Sequence, residues 1–332
     1  MRKFMATLLL VTAATGAMAN DSTATVGAGG LVLEKTDSIA MESEDLYVSA
    51  DEIRVRYGFR NISAKPVTTV VAFPMPSRRM SDEYGGDVAY PSGFRTSVDG
   101  RPVKATLERK AVVGGKDYHA RLEVLKIPIA PESINAAIKA MDALPAAAKA
   151  ELIRLGLAGE EEWDDDGKGM KKHLIPLWTV EDKYWWSQTF PAGREVRIDH
   201  RYVPGAGGSV ESFIAFPEYR NTPEARATIA KYCVDKATMA AVDKRRNKGL
   251  EGPLMPQRTV EYILTTGANW AKPIGDFRLV VDKGKPGNLV SFCGEGVRKI
   301  SPTQFEMRKR NWRPTRDLEV LILEPRRDAA SR

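Results

Sequence analysis

The chain carries three histidines, His119, His173 and His200, in 332 residues. None stands in an H-x-x-x-H or H-E-x-x-H spacing, which leaves a zincin-type metal site without ligands. His200 falls on the apolar face of its strand and reads as a core residue; His119, beside Tyr118, reads as a surface one. There are two cysteines, Cys233 and Cys293, and no histidine lies near either in sequence to serve a catalytic thiol as base. No G-x-S-x-G occurs, so the α/β-hydrolase elbow has no support. The glycine-rich runs at 27–30 and 205–208 lack the Lys-Ser/Thr of a phosphate loop and read as turns or hinges. Glu162-Trp163-Asp164-Asp165-Asp166-Gly167 copies the first half of an EF-hand loop, but position 12 is His173 where a bidentate glutamate is needed; the segment reads as a solvated acidic loop. These absences leave no catalytic residue, metal ligand or cofactor to assign.

What is present begins with an address. Arg2 and Lys3 precede an apolar run from Phe4 to Ala14 and then Gly16-Ala17-Met18-Ala19, the three regions of a secretory signal peptide cleaved after Ala19. The run is shorter than the about 20 residues of a membrane helix, and no later segment approaches that length. No cysteine follows the cleavage site to carry a lipid. The expectation is a mature chain in the periplasm or outside the cell, its formal charge lowered from +7 to +5 by the loss of Arg2 and Lys3. A mildly basic exported protein meets anionic envelope surfaces and acidic glycans, and not nucleic acid. In such a compartment two cysteines argue for one disulfide, Cys233 to Cys293, two buried free thiols being the other reading.

Periodicity gives a mainly β fold. In Asp51 to Pro76, Ile53, Val55, Tyr57 and Phe59 alternate with Arg54, Arg56, Gly58 and Arg60, which predicts a strand with one apolar and one basic face. Thr68 to Phe73 is its partner, and Pro74 and Pro76 end the ladder. About seven short strands over 31–128, among them Tyr118 to Ile127, suggest a β-sandwich. Ile134, Ile138 and Met141 recur at helical spacing and Pro145 opens a second helix that Gly156 caps, an αα-hairpin inserted within 131–172. Strand character returns at Leu174–Val180, Tyr184–Phe190 and Arg194–Val203, where Val196, Ile198, His200 and Tyr202 share a face. The flexible Pro204 to Ser209 places a domain boundary at 205/206. The second β-domain, 206–325, holds a strand at Phe213–Phe216, a helix over 223–247 and five further strands. The tail 326–332 is expected to be disordered.

The order of motifs is similar to that of a family of exported bacterial proteins, domain of unknown function 4424. The stretches are GAGGL at 27–31, SEDLYVS at 43–49, VRYGFRN at 55–61, VAFPMP at 71–76, YWWSQTFP at 184–191, DHRYVPGAGG at 199–208, LTTGANWAKPIGDFRLVVDKG at 264–284, LVSFCGEG at 289–296 and DLEVLIL at 317–323. The resemblance implies export and architecture and carries no catalytic residues, because the family has no agreed activity. FPMP at 73–76 followed by SVDGRPVKATLE at 97–108 gives a weaker similarity to the domain named for vault protein and inter-α-trypsin inhibitor, an analogy of fold alone.

Two groups of residues are candidates for binding. The aromatic cluster Trp178, Tyr184, Trp185 and Trp186 reads as core or domain-interface packing, or as a stacking platform for a sugar ring or partner protein; on a strand Tyr184 and Trp186 share one face and Trp185 takes the other. The basic face Arg54, Arg56 and Arg60 reads as solvated, or as a docking surface for an anionic partner. The function expected is a non-catalytic envelope module that binds a protein or glycan. The alternative is a hydrolase of envelope polysaccharide or peptide working through two carboxylates with opposed pKa shifts.

Overall fold

The computed structural model describes residues 21–27, 30–80, 90–165, 167–245 and 255–325. The signal segment 1–19, the tail 326–332 and most of the Met80–Gly93 loop lie outside the described residues. The fold is mainly β. Its centre is an eight-stranded sheet in which Ile39–Ser49, Ile53–Asn61, Glu195–Val203 and Ser92–Val98 lie side by side and antiparallel. Alternation explains the placement: Ile53, Val55, Tyr57 and Phe59 go inward while the intervening arginines stay in water. The turn after Ser92–Val98 is Asp99-Gly100, both residues at positive φ, as the tightest hairpins demand.

On its other side Ile39–Ser49 is paired in parallel with Ile274–Asp282, with Leu46 opposite Leu279. Strands from both sides of the 205/206 break therefore share one sheet. They also share one core, which joins Tyr57, Phe59 and Ile198 to Phe277, Val320 and Ile322. The inner face of the large sheet is covered by two others. A seven-stranded sheet supplies Val71 and Phe73 from Val67–Pro74 and Trp186 and Phe190 from Thr179–Phe190. A four-stranded sheet supplies Val260 and Tyr262 from Gln257–Tyr262 and Leu318, Val320 and Ile322 from Leu318–Leu323.

The αα-hairpin is present as Ile134–Asp142 and Ala146–Arg154. Gly156, at φ +71°, closes the second helix, and the N–H of Leu157 donates to the carbonyl of Leu152. Met141, Leu152 and Leu174 form a small core here with Trp178. Several expectations differ. Val67–Pro74 is not the partner of Ile53–Asn61: it lies in the seven-stranded sheet between Ser22–Gly27 and Thr179–Phe190, because both strands turn their apolar faces to the same core from opposite sheets. The Tyr118–Ile127 strand is a helix, His119–Val124: the Asp117 carboxylate accepts the N–H of His119, and Leu122 is buried from a helical turn. The Phe213–Phe216 strand is a 3-10 turn, Phe213–Ala215, cut short by Pro217. The acidic loop begins as a strand, Ala158–Trp163, paired to Lys171–Pro176: Glu162 lies opposite Lys172, and Trp163 stacks on His173 at 3.8 Å. Asp164 then accepts the N–H groups of Gly167, Lys168 and Gly169, which commits its carboxylate to the turn.

The 223–247 helix is two helices, Pro223–Lys231 and Lys236–Arg245, separated at Cys233. Thr222 caps the first, accepting the N–H of Ala225. The Cys233–Cys293 disulfide ties this break to the end of the Leu289–Phe292 strand.

Candidate functional site

The four aromatic candidates do not converge on a surface. Trp178 is buried in the helical insertion and donates to the carbonyl of Ile129. Trp186 is buried in the main core. Tyr184, on the same strand face, stacks on Phe94 with ring centroids 4.2 Å apart. Trp185, on the opposite face, covers a separate cluster of Ala24, Leu31 and Ala72. Trp178 and Trp186 are buried as packing and offer no open ring face, while Tyr184 and Trp185 are half-buried.

The basic face is open, and larger than one strand shows. Register places Arg54 beside Arg201, Arg56 beside Asp199 and Arg60 beside Glu195, and then Arg201 beside Arg95. Three adjacent strands, Ile53–Asn61, Ser92–Val98 and Glu195–Val203, carry six arginines (54, 56, 60, 95, 197 and 201), two acids and no lysine. Five of these arginine side chains are between 42% and 70% exposed.

Two rows across the sheet behave differently. The first runs Arg308, Arg278, Asp45, Arg56, Asp199. From Arg278 onward its charges alternate and pair: Arg278 donates to Asp45 at 3.0 Å and Arg56 to Asp199 at 2.8 Å. The second runs Val280, Tyr47, Arg54, Arg201, Arg95. Its three guanidiniums stand on neighbouring strands, about 4.8 Å apart at the backbone. Two of them share one carboxylate: Glu52 is paired to Arg54 at 3.1 Å and to Arg201, while Arg95 has no ion pair among the described residues. The Arg54 guanidinium lies 4.3 Å over the Tyr47 ring. A shallow groove of about 640 Å³ passes over this row and the next. Arg95 and Arg201 escape a reading of one strand at a time; the signal was the alternating charge of Glu195–Val203, which becomes a patch only through pairing.

At the far edge the same face is sealed. Glu306 accepts from Arg278 at 2.8 Å and Arg298 at 2.6 Å and is paired to Arg308 at 3.3 Å. Those bonds, Arg278 first, hold its carboxyl down to about 2. A depressed carboxylate adds stability that is present above its unfolded value of 4.5 and is lost as pH falls through about 2. Glu306→Gln should therefore unfold more easily than the parent at pH 7, with the difference vanishing by pH 2 in a pH series of thermal melts. A gap independent of pH would contradict the assignment.

The described acids that come closest to a histidine in the centre of the molecule are Asp21 and Glu44, beside His200, Tyr57 and Tyr262. They form no cleft. The Asp21 and His200 side chains are 0% exposed and joined at 3.0 Å, and Glu44 is buried with them. Among the described residues no group of three or more acids, histidines and cysteines could hold a metal ion, and no helix is long and apolar enough to cross a membrane.

These features define a class: a mainly β, disulfide-tied protein presenting an arginine-rich sheet face. The chain belongs to the family described as Domain of unknown function (DUF4424), whose profile matches residues 19–321. No curated protein matches the sequence. Among solved structures, a Legionella pneumophila protein with a suggested nutrient-binding role is similar at 16% identity and a TM-score of 0.43, over 91% of this chain and 72% of that one. An M1 zinc metallopeptidase of Deinococcus radiodurans is similar at 9% identity and a TM-score of 0.27, over 87% of this chain and 43% of that one.

Proposed function

We propose that this is an exported, non-catalytic module of the bacterial envelope that holds an acidic glycan on the arginine row Arg54, Arg201 and Arg95. What carries the reading is the charge imbalance of that row, three guanidiniums to the one carboxylate of Glu52, which pairs with Arg54 and Arg201. Arginine without lysine suits planar, bidentate capture of carboxylates. Exposed ion pairs such as those to Glu52 are worth little, so a ligand carboxylate can replace them. Outward positions of the three strands are charged, small or polar apart from Val203 at one strand end, so the face lacks the apolar centre of a protein–protein contact. That favours a hydrated polyanion.

The test is titration of the mature protein with polygalacturonate, with neutral dextran as control. Binding to polygalacturonate should weaken with added salt. The Arg95→Ala/Arg201→Ala variant should lose about tenfold in affinity, about 1.4 kcal/mol, while its unfolding temperature stays with the parent. Equal binding of dextran, or an unchanged affinity in the variant, would overturn the reading.

A further inference from the structure

A second cavity lies away from the arginine face. It is a groove of about 750 Å³ beside the disulfide, between the Leu289–Phe292 strand with its following loop, the Gln304–Trp312 strand and the segment leading into Leu318–Leu323. That size falls within the range of small-molecule sites. Its wall is apolar and aromatic: Val290, Phe292, Phe305, Met307, Trp312 and Leu318.

Its charges are unequal in freedom. Each acid on the groove is already engaged. Asp235 accepts the N–H of Thr238 at the start of the Lys236–Arg245 helix. Asp317 accepts from the N–H groups of Leu264 and Thr265 and from the Thr265 hydroxyl. Glu295 takes Lys309 at 2.8 Å. Two cations remain, Arg316 and Lys299, neither with an ion pair to a described carboxylate. Arg316 is held in place: one guanidinium nitrogen donates to the carbonyl of Lys231 at 3.2 Å and another lies 3.8 Å from Cys233 Sγ. An apolar trough with a fixed guanidinium at its rim, one without an ion pair to a described carboxylate, is complementary to an apolar body that carries an anion.

We infer that this groove binds a small amphipathic carboxylate, its apolar body against Trp312, Phe292 and Phe305 and its carboxylate on Arg316. A neutral apolar molecule would leave Arg316 and Lys299 uncompensated. A polyanion would find one narrow cationic point in place of a row.

The experiment uses 2-naphthoate as probe and its neutral amide, 2-naphthamide, as the matched control, each titrated into the full mature protein by calorimetry. Saturable 1:1 binding of naphthoate, tighter than that of naphthamide, is expected. Arg316→Ala should weaken naphthoate by about tenfold, the scale of a lost hydrogen bond to a charged group, and leave naphthamide unchanged. Trp312→Phe, which keeps the strand packed, should weaken both. Absence of saturable naphthoate binding, equal affinity for acid and amide, or indifference to Arg316→Ala would each overturn the inference. So would loss of naphthoate binding in Arg95→Ala/Arg201→Ala, which would move the probe to the sheet face. Polygalacturonate binding should survive Arg316→Ala, so the two sites fail or stand separately.

Discussion

His200→Leu is expected to destabilise the protein by about 3–5 kcal/mol, the scale on which breaking one partner of a buried pair acts. His200 lies among Phe73, Phe94, Trp186 and Tyr57, with ring centroids 4.8, 5.2, 5.5 and 5.7 Å away. Its Nε2 faces Asp21 Oδ1. The main chain of Asp21 is pinned as well, since its carbonyl accepts Trp270 Nε1–H at 2.8 Å. The carboxylate therefore cannot leave for solvent when its partner is removed. Burial already pushes the Asp21 carboxyl above 3.8, and the charge and hydrogen bond of His200 oppose that rise. Without His200 the carboxyl rises further. An acid raised in the folded state binds its proton more tightly there than in the unfolded chain, so acidification from neutral pH stabilises the variant relative to the parent. Urea unfolding at pH 7.5 and pH 5 should show the deficit shrinking at the lower pH. Asp21→Ala/His200→Leu should recover most of the loss, because no stranded charge is left. Additive losses in the double variant would show that the two side chains act independently.

The strands were legible for a physical reason. Period-two alternation in Ile53–Asn61 and Glu195–Val203 reflects one wet and one dry face, and both faces leave their mark on sequence. What sequence order hides is adjacency. Arg54, Arg201 and Arg95 come from three strands scattered over 147 positions, and only register makes them neighbours. Leu46 and Leu279 face each other across a parallel pairing of chain halves that a glycine-rich break at Pro204–Ser209 had suggested keeping apart. The aromatic cluster misled in a different way. Trp178 and Trp186 are eight positions apart on one stretch of chain yet fill two different cores, one under the helical insertion and one between the sheets. The helix at His119–Val124 was lost because Tyr118 and Leu122, four positions apart, fit both periods over so short a run, and the contact of the Asp117 carboxylate with the N–H of His119 is a local turn rather than a pattern. Glu52, the acid that the arginine row shares, sits in the turn before its strand, where no periodicity points to it.

Replacing both cysteines by serine is expected to lower stability by about 4 kcal/mol if the unfolded chain bears the whole effect, given a loop of 60 positions. The structure argues for a particular distribution of that loss. Pro223–Lys231 buries only Ala225 among its side chains, and Lys236–Arg245 only Val242. Tyr232 and Val234, flanking the break, and the bridge itself hold the helical segment to the four-stranded sheet. Hydrogen exchange should therefore lose protection first over 223–245 in the double serine variant, with Ile53–Asn61 changing least. Cys233 also sits at φ +51°, just past the end of its helix, and the N–H of Val234 donates to the carbonyl of Ile229. That is the terminator Gly156 makes with glycine, and an L-residue there carries about 1–2 kcal/mol of backbone strain. Once the bridge is gone, that strain has no function. Cys233→Gly/Cys293→Ser should accordingly be more stable than the double serine variant by about 1 kcal/mol, since glycine adopts the left-handed region freely. Urea midpoints for the two variants decide it: a glycine variant no more stable than the serine one would mean that the segment already abandons this turn when the bridge is absent.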